Sequence, residues 1–194
     1  MERVHREARC PTDSDITTSR ASQENLTLYL VSISAPSPLT KDHSLKEFDC
    51  GVGELNAWLK KRALQNQVSN ATRTYVASDG DRVIGFHSLA AASVERTLVV
   101  SRLQRNTPES IPVILLARLA VDESWQSRGI GGALLLDAAR RSLSAAEIIG
   151  ARALIINAIN DRASEFYLRY GFQPSPVASH LLMATIADLR LTLC

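Results

Sequence analysis

A glycine-rich segment between a predicted buried strand and a predicted helix carries the sharpest chemical signal in the chain. It spans residues 126–132 with the sequence QSRGIGG. Glycines let the backbone approach a ligand closely, and the first turn of a helix leaves N–H groups without intrahelical acceptors. With the positive end of the helix dipole, these donors favour an anion such as a pyrophosphate, and Arg128 could add a charged contact.

The same residues exclude two other phosphate-binding patterns. No Gly-Lys-Ser/Thr follows the glycines, so the segment is not a P-loop. Its glycine spacing also differs from the dinucleotide-binding fingerprint, and no early βαβ unit precedes it. A glycine-rich turn alone can be no more than a packing feature, so the elements around it decide its role.

The second half of the chain predicts alternating strands and helices, which are typical of a mixed α/β domain. Residues 112–122 are almost continuously apolar, as in a strand covered on both faces. The helix over residues 129–146 has an apolar face, with Asp137, Arg140 and Arg141 turned away from it, and Gly150 closes it. The remaining predicted elements are a strand at residues 153–158, a helix at 162–170 that ends at Gly171, and strands from residue 172 and at 181–185.

The first half is predicted to supply an extension, a strand, a helix and a hairpin. Residues 1–25 are polar and lack apolar periodicity, so we expect residues 1–30 to be a disordered extension and residues 31–194 to form one domain. A strand is predicted at residues 28–34, and Pro36 and Pro38 then interrupt it. An amphipathic helix follows from Gly53, and strands at residues 74–77 and 83–89 form a hairpin around residues 79–81.

Two motifs together resemble the acetyl-CoA-binding signatures of the GNAT superfamily of N-acetyltransferases. The pattern Gln-x-x-Gly-x-Gly at residues 126–131 follows a strand that ends in LAVD at residues 119–122. Further along, the sequence FYLRYGF at residues 166–172 resembles the second signature, Phe-Tyr-x-x-x-Gly-Phe. The resemblance implies a GNAT fold, in which helices flank a central splayed mixed sheet, and it implies acetyl-CoA as the co-substrate.

The same resemblance implies where acetyl-CoA binds. Its pantetheine arm would pair with the exposed backbone of the strand at residues 119–121, and its pyrophosphate would lie on the amides of residues 128–132. The residues expected to bind or order the cofactor region are Leu119, Val121, Gln126, Ser127, Arg128, Gly129, Gly131, Gly132, Asn157 and Asn160. Asn157 stands where many relatives carry histidine, so a proton relay there is in doubt, and both asparagines are expected to order backbone.

Tyr167 is the residue to which the resemblance assigns catalysis, as the acid that protonates the departing CoA thiolate. An α-amine nucleophile has a pKa of about 8, so it needs no strong base. Proton transfer from tyrosine (pKa about 10) to a thiolate (pKa about 8.5) is uphill by about 2 kcal/mol, which burial or hydrogen bonding must offset. The alternative role for Tyr167 is a core aromatic, which is the role expected for Tyr170 beside Gly171.

Residues 33–187 further resemble the GNAT toxins of bacterial toxin–antitoxin pairs. The helix sequence LNAWL at residues 55–59 and the strand sequence PVILLAR at residues 112–118 carry this likeness. Such toxins acetylate the α-amino group of aminoacyl-tRNA, which blocks translation, and a ribbon-helix-helix antitoxin neutralises them. The resemblance therefore implies three partners, which are aminoacyl-tRNA, a ribbon-helix-helix antitoxin and a second copy of the chain in a homodimer.

Arginines mark further candidate contacts. Arg96, Arg102 and Arg105 fall in a long polar connection at residues 93–111, which suggests a functional insert and a phosphate contact to tRNA; a solvated face is the alternative. Arg73 and Arg118 lie within apolar strands, where each is either a paired charge or a contact to the acceptor.

Composition limits the remaining possibilities. The net charge of +2 is nearly neutral, and the four histidines and three cysteines are scattered without ligand spacing, so we expect no metal site. No apolar run is long enough to span a bilayer and no secretory leader opens the chain, so we expect a cytoplasmic protein without membrane contact. Two other functions stay open: acetylation of a small amine or a protein N-terminus, and non-catalytic binding of acetyl-CoA.

Overall fold

The computed structural model describes residues 33–193. The predicted extension at residues 1–30 and the first part of the predicted strand at residues 28–34 lie outside the described residues. The strands are β1 Ser37–Pro38, β2 Arg73–Asp79, β3 Arg82–Glu95, β4 Ser110–Val121, β5 Ala153–Asn157, β6 Gln173–Pro174 and β7 Leu181–Thr185. The α-helices are α1 Gly53–Lys61, α2 Ala63–Val68, α3 Ser101–Gln104, α4 Ile130–Ile149, α5 Asp161–Arg169 and α6 Ile186–Leu193.

One sheet connects these strands in the order β1-β2-β3-β4-β5-β7-β6. Its pairs are antiparallel except β4 with β5, which run parallel. Alternate residues of β3 face opposite layers of helices, as strand geometry requires. Phe86 packs with Leu59 of α1 in one core cluster, whereas His87 contacts Asp137 of α4. The predicted mixed α/β fold is therefore confirmed.

Most of the predicted elements are confirmed. The amphipathic helix begins at Gly53, the hairpin turns at Gly80 with a φ of 61°, and the buried strand, the long helix and the helix of the second motif all form. The strand β3 continues to Glu95, so the connection that carries the arginines is shorter than expected. Helix α6 was not predicted from the sequence.

One prediction about the N-terminal half is wrong, and the long helix makes a contact with β3 that was not predicted. Pro38 does not interrupt the first strand but belongs to β1, at the edge of the sheet, where proline needs no N–H partner. Asp137 and Arg141 lie off the buried face of α4, as predicted, but they are engaged there: the Nε2 of His87 lies 2.7 Å from Asp137 Oδ2, and Arg141 Nε donates to the same oxygen at 2.7 Å. Helical spacing placed these residues off the apolar stripe, but β3 meets them there.

Candidate active site

Two connected cavities open where β4 and β5 separate. The first, which we call the loop cavity, has a volume of about 560 Å³ and is bordered by the glycine-rich loop and α5. The second, which we call the strand cavity, has a volume of about 400 Å³ and follows residues 115–119 of β4. Leu119 and Tyr167 line both cavities, so Tyr167 stands at their junction.

The glycine-rich loop presents the uncapped start of α4 to the loop cavity. Gly129, immediately before the helix, has a φ of 83°, and Ser127 has a φ of 60°. Gly129 offers no side-chain cap, and the amide of Ala133 is the first to donate back, to the carbonyl of Gly129 at 3.1 Å. The amides of residues 130–132 therefore have no intrahelical acceptor and carry the positive end of the helix dipole. These donors suit a phosphate group.

Gln126 and Arg128 have contacts of their own beside this loop. Gln126 lines the loop cavity, but its Nε2 already donates to the carbonyl of Val121 at 3.0 Å and to that of Cys50 at 3.4 Å. Arg128 is exposed, its guanidinium lies 4.8 Å from the ring centroid of Trp125, and it does not line the cavity. Direct contact of either side chain with a ligand stays a prediction, and the geometry favours a supporting role for Gln126.

Helix α5 brings two cations to the loop cavity that the sequence reasoning missed. Arg162 and Arg169 line the cavity together with Phe166 and Tyr170. The four residues are spaced i, i+4, i+7 and i+8, so they share one face of the helix. This spacing is the sequence signal that could have found them. Their positive charge beside the uncapped helix start favours a polyphosphate ligand.

The last residues of β4 offer unpaired backbone to both cavities. Within the described part of the chain, β5 pairs only with residues 114–116 of β4. On the opposite edge the amide of Asp122 donates to the carbonyl of Ile84 in β3 at 2.9 Å. The backbone N–H and C=O groups of Asp122, and of every second residue before it, therefore point to β3. Those of Leu119 and Val121 point to the open side. An extended ligand can pair with this edge as another strand would.

Tyr167 is buried and closely packed at the junction of the cavities. It is 7% exposed, and its ring packs edge-on against Phe166 and Phe172 at centroid distances of 5.0 and 6.0 Å. Burial raises the pKa of Tyr167 to about 12, so the hydroxyl is protonated at neutral pH. Contrary to expectation, burial alone does not make it a stronger acid. A thiolate in the same desolvated site has its pKa raised by the same effect, so the two shifts offset each other.

The two asparagines differ in what they hold. Asn160 is the residue before α5, and its Oδ1 accepts a hydrogen bond from the amide of Ala163 at 2.9 Å. It therefore fixes the start of the helix that carries Tyr167. Asn157 is exposed at the end of β5 and lines the strand cavity. Its contact with a ligand stays a prediction.

The strand cavity is largely apolar but contains one cation from the sheet. Its apolar lining includes Val52, Leu55, Leu115, Leu119, Ile156 and Ile159. Its polar lining includes Glu54, Arg118, Asn157 and Tyr167. The other strand arginine, Arg73, is exposed and donates to the carbonyl of Gln67 at 2.9 Å and to Asn70 Oδ1 at 2.6 Å, so local groups on the surface hold it.

The three arginines of the insert do not act alike. Arg96 and Arg105 line a shallow pocket of about 390 Å³, whereas Arg102 forms an ion pair with Asp188 of α6. The insert leads into β4 at Ser110, and the strand cavity begins five residues later at Leu115, about 17 Å along an extended strand. Contact between these arginines and tRNA stays a prediction, and Arg102 is a weak candidate for it.

Across residues 33–193, no three or more histidine, cysteine, aspartate or glutamate side chains gather in a group that could hold a metal ion. No helix in this part of the chain has both the length and the apolar character to cross a membrane.

The domain that these features define is also recognised by comparison with known proteins. The family described as the acetyltransferase (GNAT) domain matches residues 70–174. The chain therefore belongs to the GNAT acetyltransferases and is an acetyl-CoA-dependent acetyltransferase. Its site fits this co-substrate: unpaired amides and two arginines suit the phosphates, and the free edge of β4 suits the amide-containing pantetheine arm.

Several individual proteins are similar to this chain over most of its length. The tRNA-acetylating toxin of Mycobacterium tuberculosis (strain ATCC 25618 / H37Rv) is 41% identical over 157 residues, which cover 81% of this chain and 95% of the relative. The structure of AtaT complexed with acetyl-methionyl-tRNAfMet has a TM-score of 0.77 and 27% identity, covering 84% of this chain and 99% of that one. A mutant AtaT toxin bound to the C-terminus of the antitoxin AtaR and acetyl-CoA has a TM-score of 0.71 and 27% identity, covering 82% and 97%.

Proposed function

We propose that this chain is the toxin of a toxin–antitoxin pair and that it transfers the acetyl group of acetyl-CoA to the α-amino group of aminoacyl-tRNA, which blocks translation. The observation that carries the proposal is the open junction at Tyr167, where a cavity suited to acetyl-CoA meets a second cavity that can admit an acceptor. The likeness to tRNA-acetylating relatives over most of the chain supports this choice of acceptor.

The loop cavity binds acetyl-CoA in this proposal. The amides of residues 130–132 hold the pyrophosphate, and Arg162 and Arg169 add charge for the phosphates. The backbone of Leu119 and Val121 pairs with the pantetheine arm. This arrangement directs the thioester toward Tyr167 and toward Ala117, which forms a β-bulge because Ser88 pairs with Arg118 but Leu89 pairs with Leu116.

The residues at the junction then assist acetyl transfer. The neutral amine attacks the thioester carbonyl carbon, a C–N bond forms, the C–S bond breaks, and the amine loses a proton to water. Tyr167 donates its hydroxyl proton to the leaving sulfur and regains a proton from solvent. Backbone donors at the Ala117 bulge can stabilise the charge that develops on the carbonyl oxygen. The apolar lining of the strand cavity favours a neutral amine over an ammonium ion.

The partners follow from the same proposal. The bound antitoxin in the related AtaT structure supports an antitoxin for this chain, and we propose that it is a ribbon-helix-helix protein. A homodimer and a cytoplasmic site of action, where charged tRNA is available, complete the proposal. Analytical ultracentrifugation tests the homodimer, and co-purification with a short protein encoded beside this gene tests the antitoxin.

A radiolabelled transfer assay tests the proposed function. The full chain is incubated with labelled acetyl-CoA and one acceptor at a time. The acceptors are a charged tRNA mixture, deacylated tRNA, free amino acids, small amines and N-terminal peptides. Label should enter charged tRNA and be released by base as an acetyl-amino acid, and Tyr167→Phe should suppress it. Faster labelling of a small amine or peptide would favour the other acetyltransferase function. Binding of acetyl-CoA with no transfer to any acceptor would favour a non-catalytic module.

A further inference from the structure

Arg118 occupies an unusual place for a charged residue. It lies in the middle of the sheet, on β4 directly after the Ala117 bulge, and it is only partly exposed. Arg118 lines the strand cavity, as does Tyr167. Among residues 33–193, no carboxylate oxygen lies within 4.0 Å of the Arg118 guanidinium. A half-buried cation without a partner is costly, so a ligand that neutralises it would be favoured.

The guanidinium is held in place but keeps free donors. It lies 5.6 Å from the ring centroid of Trp58 in α1, within the range of a cation–π contact. Its Nη1 donates to the carbonyl of Ala117 at 2.6 Å. A guanidinium has five N–H donors, and the remaining ones have no acceptor within the described residues. A planar, oriented group with unused donors suits an oxyanion that can accept two hydrogen bonds.

We propose that Arg118 binds the phosphodiester attached to the terminal nucleoside of the aminoacyl-tRNA. This inference rests on the proposed function. In an aminoacyl ester the amino acid's own carboxylate is esterified and carries no charge. The anion nearest to the reacting amine is then the phosphate on the 5′ side of the same nucleoside. A cation that shares a cavity with Tyr167 is therefore placed to meet that phosphate when the amine reaches the catalytic hydroxyl.

The contact gives Arg118 a role in specificity. A phosphate held at this point positions the terminal nucleoside and hence the ester. A small amine has no anion to place there, and a free amino acid has only its own carboxylate. Arg118 thus discriminates between an acceptor on a nucleic acid and a small molecule, separately from the Arg96 and Arg105 pocket in the insert before β4.

Two minimal acceptors separate this role from a structural one. Both are 3′-aminoacyl esters of the same amino acid: one of adenosine, which has no phosphate, and one of cytidylyl-adenosine, which has the single phosphodiester. Acetylation of each is measured with wild type, Arg118→Gln and Arg118→Lys. Arg73→Gln is the matched control, because Arg73 also lies on a strand but binds only local groups on the surface.

We expect Arg118→Gln to raise KM for the dinucleotide ester about 10- to 100-fold while kcat stays within about twofold. The adenosine ester should be affected far less than the dinucleotide ester, because it has no phosphate for Arg118 to bind. For the dinucleotide ester, the KM of Arg118→Lys should lie between that of wild type and that of Arg118→Gln, because lysine keeps the charge without the paired donors. Arg73→Gln should match wild type on both esters, and acetyl-CoA affinity and melting temperature should be unchanged in Arg118→Lys.

Other outcomes overturn the inference. If Arg118→Gln and Arg118→Lys slow both esters equally, the arginine serves only to hold Ala117 and α1. If neither variant affects either ester, or if a free amino acid loses more than the dinucleotide ester, no phosphate is bound there. Failure of the wild type to acetylate charged tRNA and both esters would instead contradict the proposed function itself.

Discussion

The hydroxyl of Tyr170 occupies the space that a side chain on Gly132 would need. Gly132 lies in the first turn of α4 and Tyr170 follows α5, so this contact joins the two helices that border the loop cavity. The expectation that Tyr170 only packs beside Gly171 was therefore incomplete. The absence of a side chain at Gly132 lets the second motif approach the first.

Gly132→Ala should displace the half-exposed ring of Tyr170 into the loop cavity. Overpacking of this kind costs about 1–3 kcal/mol, so we expect acetyl-CoA affinity to fall about tenfold. Gly131→Ala is the matched control, because a β-carbon there would meet Phe166 at an ordinary 3.6 Å. Calorimetry on both variants checks this, and Tyr170→Phe should restore part of the loss. Equal affinities for the two alanine variants would contradict the prediction.

A negative charge at Gly131 should weaken acetyl-CoA binding more than an uncharged side chain of the same size. Gly131→Asp places a carboxylate beside the amides assigned to the pyrophosphate, and repulsion between like charges costs several kcal/mol. Acetyl-CoA binding should be lost while the fold survives. Gly131→Asn has nearly the same shape without the charge, so it should retain measurable binding. If the two variants bind acetyl-CoA equally in calorimetry, the loop does not hold the pyrophosphate.

Tyr167→Phe should reduce kcat by about 10²–10⁴-fold, the range typical of a positioned acid. Acetyl-CoA affinity should stay the same, because the ring is held by Phe166 and Phe172 rather than by its hydroxyl. Burial raises the pKa of Tyr167 to about 12. At any pH under about 11, ionisation of Tyr167 should therefore cause no loss of kcat. Steady-state kinetics and a pH profile measure both effects, with Tyr170→Phe as the control. Wild-type turnover in Tyr167→Phe would remove the hydroxyl from the mechanism.

The sequence predicted the parts of the site that lie on single elements. The helix start at Gly129, the strand before it and the helix of Tyr167 each depend on local glycine placement and apolar periodicity. Contacts between distant elements were not predictable in this way. Arg102 pairs with Asp188 across 86 positions, and β3 brings His87 to Asp137 across 50. Such pairs depend on strand order and on side-chain direction, which periodicity does not encode.

His87 should make stability depend on pH in mildly acidic solution. It is fully buried, its Nε2 contacts Asp137, and its Nδ1 has no partner among the described residues. Burial lowers the pKa of His87 below its usual 6.5, and the opposing attraction of Asp137 does not reverse this shift. As the pH falls below about 6.5, the unfolded chain binds a proton that the folded chain does not bind, so the free energy of unfolding decreases.

The expected slope for this one proton is at most about 1.4 kcal/mol per pH unit, until the folded-state pKa is reached. Urea denaturation between pH 7.5 and 5 measures it, at about quarter-unit steps chosen to resolve such a slope. His87→Gln keeps a donor for Asp137 but cannot titrate, so its stability should fall less over this range. An identical pH dependence in the two proteins would show that His87 is not its source.

The insert should supply salt-dependent binding of tRNA that the chemistry does not require. The reacting amine is small, so most affinity for tRNA must come from backbone phosphates away from Tyr167. Arg96 and Arg105 share a pocket at the surface, whereas Arg102 is paired with Asp188. The double variant Arg96→Ala/Arg105→Ala should weaken tRNA binding and flatten its dependence on log salt by about 0.7–0.9 per lost phosphate contact. Acetyl-CoA affinity should not change.

Arg102→Ala is the matched control, because it removes an arginine from the same insert that is engaged within the fold. It should lower thermal stability slightly, by at most about 1 kcal/mol for a largely exposed ion pair, and leave the salt slope unchanged. The deciding measurement compares acetylation of aminoacyl-tRNA with that of a free amino-acid ester. The double variant should slow only the first reaction, because the ester has no distant phosphates. If it slows both equally, or neither, the insert is not the surface that binds tRNA.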